Sequence, residues 1–165
     1  MSLEQLISLE ISDILAVLGI AASPISELRG AIPVAISVFH FPWYYAFLIA
    51  VIGNLLPVPF ILLLLNSISR LLSRVRFFEK IINWLFERIR RRGKTIERYE
   101  RIGLALFVAI PLPITGAWTG SIIAVLLDLK FKYAFLSIFI GVLVAGVIVT
   151  CATLFGWTIA SLFTA

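Results

Sequence analysis

Two long apolar stretches set the strongest limit on how this chain can fold. The first covers residues 43–65, and the second starts at residue 133 and continues past residue 151. Because a helix rises about 1.5 Å per residue, the first stretch extends about 34 Å, which is enough to cross the hydrocarbon core of a bilayer. Trp43, Tyr44 and Tyr45 stand at its start, where a membrane–water interface is expected. Both stretches are therefore predicted to be transmembrane helices.

The overall composition agrees with a chain that folds in lipid. Of its 165 residues, 61% are hydrophobic and only 14% are charged, and the mean hydropathy is +1.08. In soluble domains, roughly a quarter of the residues are charged. A chain of this length is predicted to form a single membrane domain, residues 1–165.

Two further apolar stretches are interrupted near their middle. Residues 14–39 contain a Pro, a Gly and two charges between positions 23 and 30, and residues 102–127 contain two Pro and a Gly between positions 111 and 116. A straight spanning helix does not tolerate such residues together at mid-membrane without reason. Paired Gly/Pro-interrupted segments in matching positions are typical of a transporter's binding site.

The two halves of the chain resemble each other. The letters YAFL occur from residue 45 and again from residue 133, and the pair IG follows at the same distance in both halves. Gly30-Ala31 likewise matches Gly116-Ala117. We predict two repeats, residues 14–66 and 102–155, each consisting of a broken segment followed by a transmembrane helix.

The segment that joins the repeats, residues 67–101, is strongly basic. Residues 70–101 hold eleven Lys or Arg and four acids, a net charge of +7. Apolar residues recur in steps of three and four from Ile68 to Ile89, which predicts an amphipathic helix. We favour a position on the anionic inner leaflet, with a homodimer seam as the alternative. The segment's aromatic residues lie on its apolar face, which argues against nucleic-acid binding.

The distribution of charge predicts the topology. Cytoplasmic loops are enriched in Lys and Arg, so the basic segment is placed in the cytoplasm and the protein in the plasma membrane. Lys130 and Lys132 favour the same side, so both ends of residues 102–127 would lie inside. That segment would then be a re-entrant hairpin, and residues 14–39 an inverted one from outside. The alternative makes each broken segment a kinked crossing and places both lysines outside.

Glu27 and Arg29 are the only charged residues within the four apolar stretches. Each costs roughly 2.5–3.5 kcal/mol at the centre of a membrane helix, so both are expected to face protein or water. On a regular helix, residues two apart point to different sides. Each residue therefore has its own partner, or the backbone between them is not helical. A functional pair and a structural ion pair both satisfy this pattern.

A binding centre is predicted where the two hairpin tips meet. The returning arm of each hairpin would direct free N–H groups toward mid-membrane, and a helix N-terminus attracts anions. Desolvation disfavours the charged form of a buried carboxyl whereas a nearby guanidinium favours it, which makes Glu27 a candidate proton carrier. The predicted substrate- and proton-binding residues are Glu27, Arg29, Gly30, Asn54, Pro113, Thr115, Gly116 and Thr119. Trp118 is expected to serve packing.

Two segments carry a resemblance to a known family. The letters ELRGAIP at residues 27–33 and PLPITGAWTG at residues 111–120 are similar to the two signatures of the small multidrug export protein family. The family usually has Gly where this chain has Ile114. More distantly, the chain resembles the DedA superfamily, which implies opposed re-entrant hairpins and proton-dependent carriage of undecaprenyl phosphate. It departs from DedA in lacking an arginine in the second hairpin and in having one acid near the first.

The residues and the resemblance together predict a small, proton-coupled membrane transporter or flippase. Its substrate would be a polyprenyl-phosphate-type lipid or a hydrophobic, drug-like small molecule, and membrane lipids would be its partners. A non-transporting membrane organiser or assembly factor is the alternative. An enzyme is disfavoured, since the sequence has no Gly-x-Ser-x-Gly and no His-Glu-x-x-His. No cofactor is predicted, and one His and one Cys cannot build a His/Cys metal site.

Overall fold

The structure, a computed structural model, describes residues 3–72, 96–112 and 115–164, with side chains for residues 11–64, 100–112 and 115–156. Within these residues every regular element is an α-helix, as the sequence predicts. The helices are, in chain order, α1 (Leu3–Ala22), α2 (Glu27–Ser37), α3 (Trp43–Leu55), α4 (Pro57–Leu72), α5 (Ile96–Ala109), α6 (Ala117–Leu126) and α7 (Phe131–Thr164).

Two helical stretches are long and apolar enough to cross a membrane, Trp43–Leu64 and Phe131–Gly156. They coincide with the two predicted spans. Large apolar side chains on both are exposed, including Leu48, Phe60 and Val147. Exposed apolar side chains along such helices are stable in lipid and unfavourable in water.

The first span is interrupted at Leu56, which separates α3 from α4. Pro57 is the first residue of α4, a position where the missing N–H costs least, and Pro59 follows one residue later. The span that the sequence predicts as one helix is thus divided into two helices at these prolines.

Both interrupted stretches break where the sequence predicts, and each folds back on itself. A four-residue turn, residues 23–26, separates α1 from α2, and Gly30 of α2 packs close to Ile20 of α1. A longer break, residues 110–116, separates α5 from α6, and Gly120 of α6 packs close to Val108 of α5. We call these pairs the first hairpin (α1–α2) and the second hairpin (α5–α6).

Each hairpin packs through its first helix against the long helix that follows it. A Cβ built on Gly53 of α3 would lie 2.8 Å from the Ala21 Cβ and 2.9 Å from the Leu18 carbonyl oxygen of α1. Gly53 is therefore needed for the α1 and α3 backbones to approach closely, a common arrangement between membrane helices.

The second half repeats this arrangement between α5 and α7. A Cβ built on Gly141 of α7 would lie 2.6 Å from the Val108 Cβ and 2.7 Å from the Ala105 carbonyl oxygen of α5. The second helix of each hairpin contacts the other half of the chain, because α2 packs on α7 and α6 packs on α4. Alanine is frequent in the interior, as at Ala31, Ala117 and Ala134, beside buried Val, Ile and Leu residues.

The predicted amphipathic linker helix falls mostly outside the described residues. The backbone of α4 continues as a helix to Leu72, and the description resumes at Ile96 in α5. The proposed surface or dimer role of residues 68–92 therefore stays a prediction.

Candidate functional site

Glu27 begins α2 and lies inside the protein. Its side chain is 5% exposed. Its backbone φ is 47°, in the left-handed region that residues with a Cβ rarely adopt, and which costs of the order of 1–3 kcal/mol. Glu27 and Arg29 both line one cavity although they are two residues apart. Of the two alternatives drawn from their spacing, the structure shows the first, because both lie within helix α2 and each has its own hydrogen-bond partner.

The carboxylate of Glu27 lies at the N-terminus of α6, in the other hairpin. Its Oε1 atom is 3.5 Å from the backbone nitrogen of Trp118, which donates to it, and the backbone N–H of Ala117 also interacts with the carboxylate. Gly116 precedes them, and a Cβ at that position would overlap the Glu27 carboxylate. The N-terminus of a helix carries a partial positive charge, so a carboxylate is stabilised there.

Trp118 donates a second hydrogen bond from the second hairpin to the first. Its indole Nε1 donates to the carbonyl oxygen of Ala22 at 3.0 Å. Ala22 is the last residue of α1, where carbonyl groups lack partners within the helix. Trp118 of the second hairpin thus supplies both donors, and Glu27 and Ala22 of the first hairpin supply the acceptors. These two bonds hold the tips together.

A small cavity lies between the tips. Its volume is about 10 Å³, which is room for about one water molecule. The polar and charged side chains that line it are Glu27, Arg29, Asn54 and Thr115, and the apolar ones include Val108, Pro111, Val142 and Ala145. In this conformation the cavity is far too small for a lipid headgroup or a drug-like molecule.

Asn54 of α3 carries an unmet hydrogen-bonding group in this cavity. The residue is 1% exposed, and its side-chain oxygen Oδ1 is buried with no hydrogen-bond partner among the residues that the structure describes. A buried unsatisfied acceptor costs about 1–3 kcal/mol. Because buried polar groups are nearly always hydrogen-bonded, this oxygen is open to a donor that enters the cavity.

The other two polar residues that line the cavity, Arg29 and Thr115, already have hydrogen-bond partners. Arg29 is half-buried, its Nη2 atom donates to the carbonyl oxygen of Ile25 at 3.5 Å, and its charge acts on Glu27. The Thr115 hydroxyl donates to the carbonyl oxygen of Ile110 at 2.5 Å and accepts from the backbone nitrogen of Leu112 at 3.1 Å. Thr115 therefore closes the break in the second hairpin.

The structure brings together five of the eight predicted binding residues, namely Glu27, Arg29, Asn54, Thr115 and Gly116. Gly30 is not in the lining, because it packs against Ser26 and Ile20 within the first hairpin. Thr119 lies on α6 outside the lining, and Pro113 falls outside the described residues.

Sequence reasoning missed the part played by Trp118. The residue was expected to serve packing, whereas it bonds to Glu27 through its backbone and to Ala22 through its indole. Its place directly after Gly116-Ala117, at the start of a predicted returning arm, is the signal that could have indicated this contact. Among the residues the structure describes, no group of three or more His, Cys, Asp or Glu side chains could hold a metal ion.

Comparison with protein families gives one match. A family model described as "Putative small multi-drug export protein" matches residues 27–148. The chain belongs to this family. Comparison with curated proteins and with solved structures gives no match. The matched region of this small multidrug export protein begins at Glu27, directly after the turn of the first hairpin, and includes the whole second hairpin.

The family and the two apolar spans together establish a membrane protein. The description of the family points to transport rather than to an enzyme, in agreement with the sequence analysis. The more distant likeness to DedA proteins stays a prediction.

Proposed function

We propose that this small multidrug export protein is a proton-coupled membrane transporter whose binding centre lies where two opposed re-entrant hairpins meet. One observation carries the proposal. The buried carboxylate of Glu27, on the tip of the first hairpin, accepts its hydrogen bond from the helix N-terminus on the tip of the second. A proton on Glu27 would weaken this bond, and would thereby loosen the contact between the two hairpins.

The lengths of the returning arms support re-entrant hairpins. Helix α2 has 11 residues and α6 has 10 residues. At about 1.5 Å per residue these helices extend roughly 15–17 Å, which is about half of a 30 Å hydrocarbon core. Arms of this length reach from one surface to mid-membrane, where their tips would meet.

A contact at the other end of the second hairpin supports the same topology. The guanidinium carbon of Arg101, near the start of α5, lies 3.3 Å from the ring centroid of Tyr133, near the start of α7. Helix α6 ends a few residues before α7 begins. Both ends of the second hairpin therefore lie close together, as entry and exit through one face of the membrane require. Lys130 and Lys132 are exposed at this end, which favours the cytoplasmic side.

Corresponding positions in the two halves support an inverted repeat. Gly53 and Gly141, which allow the close helix contacts, are 88 positions apart in the sequence. His40 and Asp128 are separated by the same number, and both have a left-handed backbone, with φ of 54° and 52°. Each of the two lies in the short connection between a returning arm and a long helix. Two equivalent units on opposite faces of the membrane are the arrangement of several secondary transporters.

The charge at the centre guides the choice of substrate. The N-terminus of α6 and the Arg29 guanidinium both attract an anionic group, which favours a polyprenyl-phosphate-type lipid. A cationic drug-like molecule would instead require the Glu27 carboxylate as its counter-ion. Because the cavity has room for only about one water molecule, the hairpin tips must separate before either substrate enters.

Flux into proteoliposomes tests this function. Purified protein is reconstituted, a pH gradient is imposed, and the movement of a fluorescent polyprenyl phosphate is compared with that of a cationic dye. We expect gradient-driven flux of the lipid phosphate that falls at least tenfold in Glu27→Gln and in Arg29→Ala. Asp13→Asn, which removes a carboxylate of α1 outside the cavity lining, is the matched control and is expected to leave flux unchanged. Absence of flux for both substrates would instead support the non-transporting organiser.

A further inference from the structure

We propose that Glu27 alternates between two hydrogen-bonded positions, and that the oxyanion of the substrate takes the first position when Glu27 moves to the second. In the first position the ionised carboxylate binds the N-terminus of α6. In the second, the protonated carboxyl donates to Oδ1 of Asn54. This inference rests on the proposed transport function and assigns the order of binding at its site.

The first position is the one that the structure shows. The Glu27 carboxylate accepts from the backbone nitrogen of Trp118 and overlaps the space that a Cβ of Gly116 would fill. An anion is thus already bound at the start of α6, and it is a part of the protein itself. A substrate anion cannot use the same N–H groups until Glu27 leaves them.

The second position is indicated independently by Asn54. Its Oδ1 atom is buried in the same cavity and has no donor within the described part of the chain. An ionised carboxylate only accepts hydrogen bonds, so it cannot satisfy Oδ1, whereas a protonated carboxyl carries one O–H donor. The same proton that weakens the attraction of Glu27 for α6 therefore creates the bond that Asn54 lacks.

Among the described residues that line the cavity, only Glu27 would change its charge as it gains a proton. Arg29 of α2 is the other charged group that faces it. The lining residues from the helices packed around it are uncharged: Asn54 from α3, Val108 from α5, Ala117 from α6, and Val142 and Ala145 from α7. Once Glu27 is protonated, Arg29 and the α6 N-terminus are left without a counter-charge. A guanidinium and a helix N-terminus both bind phosphoryl and carboxylate groups, so the substrate would carry one of these groups, either on a lipid or as a free anion.

The second repeat offers a natural test of this assignment. Val142 lies 88 positions after Asn54, the same separation as between Gly53 and Gly141, and both residues line the cavity. The side-chain acceptor of Asn54 is thus present in the first repeat and has no counterpart in the second, where Val142 lies. Asn54→Val copies the residue at the corresponding position and removes the second position of Glu27 without adding charge.

Equilibrium binding to the purified full-length protein in detergent tests the proposal, with geranyl phosphate as the lipid-like probe and inorganic phosphate as the free anion. For wild type we expect the affinity for at least one probe to rise at least tenfold as the pH is lowered. Glu27→Gln is expected to bind that probe at all pH values as tightly as wild type does at low pH, because its amide can donate to Asn54. Asn54→Val is expected to lose about three- to tenfold in affinity at low pH, the equivalent of one hydrogen bond. Asp13→Asn should match wild type.

Two results would overturn the inference. One is weaker binding by Glu27→Gln than by wild type at every pH, because Glu27 would then bind the ligand rather than compete with it. The other is an Asn54→Val variant whose pH profile matches wild type.

Infrared difference spectra on wild type and Asn54→Val guard against a folding artefact, since the carbonyl stretch of protonated Glu27 should shift when Asn54 is absent. Binding and flux test the two proposals separately. If flux is observed but the binding affinity does not depend on pH, only the two positions of Glu27 are refuted. If the affinity depends on pH as expected but no flux is observed, only the transport function is refuted.

Discussion

The Oε1 atom of Glu27 lies 3.5 Å from the backbone nitrogen of Trp118, a residue 91 positions further along the chain. This contact joins the tips of the two hairpins, and the Trp118 indole donates a second bond in the same direction, to Ala22. Hydrogen bonds of this kind exist only while the tips are together. They therefore mark the closed state of the centre, and their loss is expected to accompany opening.

Gly116 is predicted to be intolerant of any side chain. Its Cβ would overlap the Glu27 carboxylate, so Gly116→Ala should displace Glu27 and lower the free energy of unfolding by about 1–3 kcal/mol. Gly103 of α5 has nothing within 4 Å of its Cβ position, and Gly103→Ala is the matched control. It should be neutral or stabilising by up to about 1 kcal/mol, because Ala favours helix. Denaturation followed by tryptophan fluorescence measures both. Equal stability of the two variants would contradict the observed contact.

The Trp118 indole is predicted to hold the tips through its N–H group rather than through its size. Trp118→Phe keeps an aromatic ring and removes the donor to Ala22, so we expect a loss of about 0.5–1.5 kcal/mol in stability. Trp43→Phe, at the exposed start of α3, should change stability by less than about 0.5 kcal/mol. Chemical denaturation in one detergent compares the variants. If both substitutions cost the same, the Ala22 bond contributes nothing specific.

Gly53 and Gly141 are predicted to be equivalent. Each allows a hairpin helix to approach a long helix, with Cβ distances to the neighbouring carbonyl oxygen of 2.9 and 2.7 Å. We expect Gly53→Ala and Gly141→Ala to destabilise by similar amounts, of the order of 1–3 kcal/mol each. Gly19→Ala in α1, which meets nothing within 4 Å, is the control for a helical glycine. A large cost at one site and none at the other would argue against two equivalent units.

The topology is tested by labelling single cysteines in intact cells with a membrane-impermeant reagent. In a Cys151→Ser background, Lys130→Cys is expected to be protected from the exterior and His40→Cys to react. Both residues are exposed on the protein, so protection would reflect the side of the membrane rather than burial. Reaction of Lys130→Cys from outside would require the second hairpin to cross the membrane, and would remove the opposed arrangement. Labelling of neither position would show that His40 is not extracellular.

Much of the architecture follows from local features of the sequence. The two spans are long and apolar, and the prolines at residues 57 and 59 end one helix and begin the next. The turn after Ala22 and the break before Ala117 fall at clusters of Pro, Gly and polar residues. These features act within one or two helical turns, so a single sequence is enough to place them.

The contents of the cavity between the hairpin tips were only partly predictable. Glu27 and Arg29 stand out because a charge in an apolar stretch is costly wherever it lies. Gly30 matches Gly116 in the sequence, yet Gly30 packs within its own hairpin while Gly116 faces Glu27. Trp118 gives no local sign of its two bonds, because both partners belong to the other hairpin. Contacts of this range depend on how the hairpins pack.

The sequence by itself determined that this chain is helical, lies in a membrane, breaks two of its apolar stretches and carries one acid and one base at the first break. Hydrophobicity and backbone chemistry are properties of neighbouring residues, and they decide these points before the chain is packed. Only the tertiary structure decided that Glu27 binds the start of α6 and that Asn54 is left without a donor. Those relationships depend on distances between helices that are far apart in sequence, and small residues such as Gly53 and Gly141 set these distances through the contacts they permit.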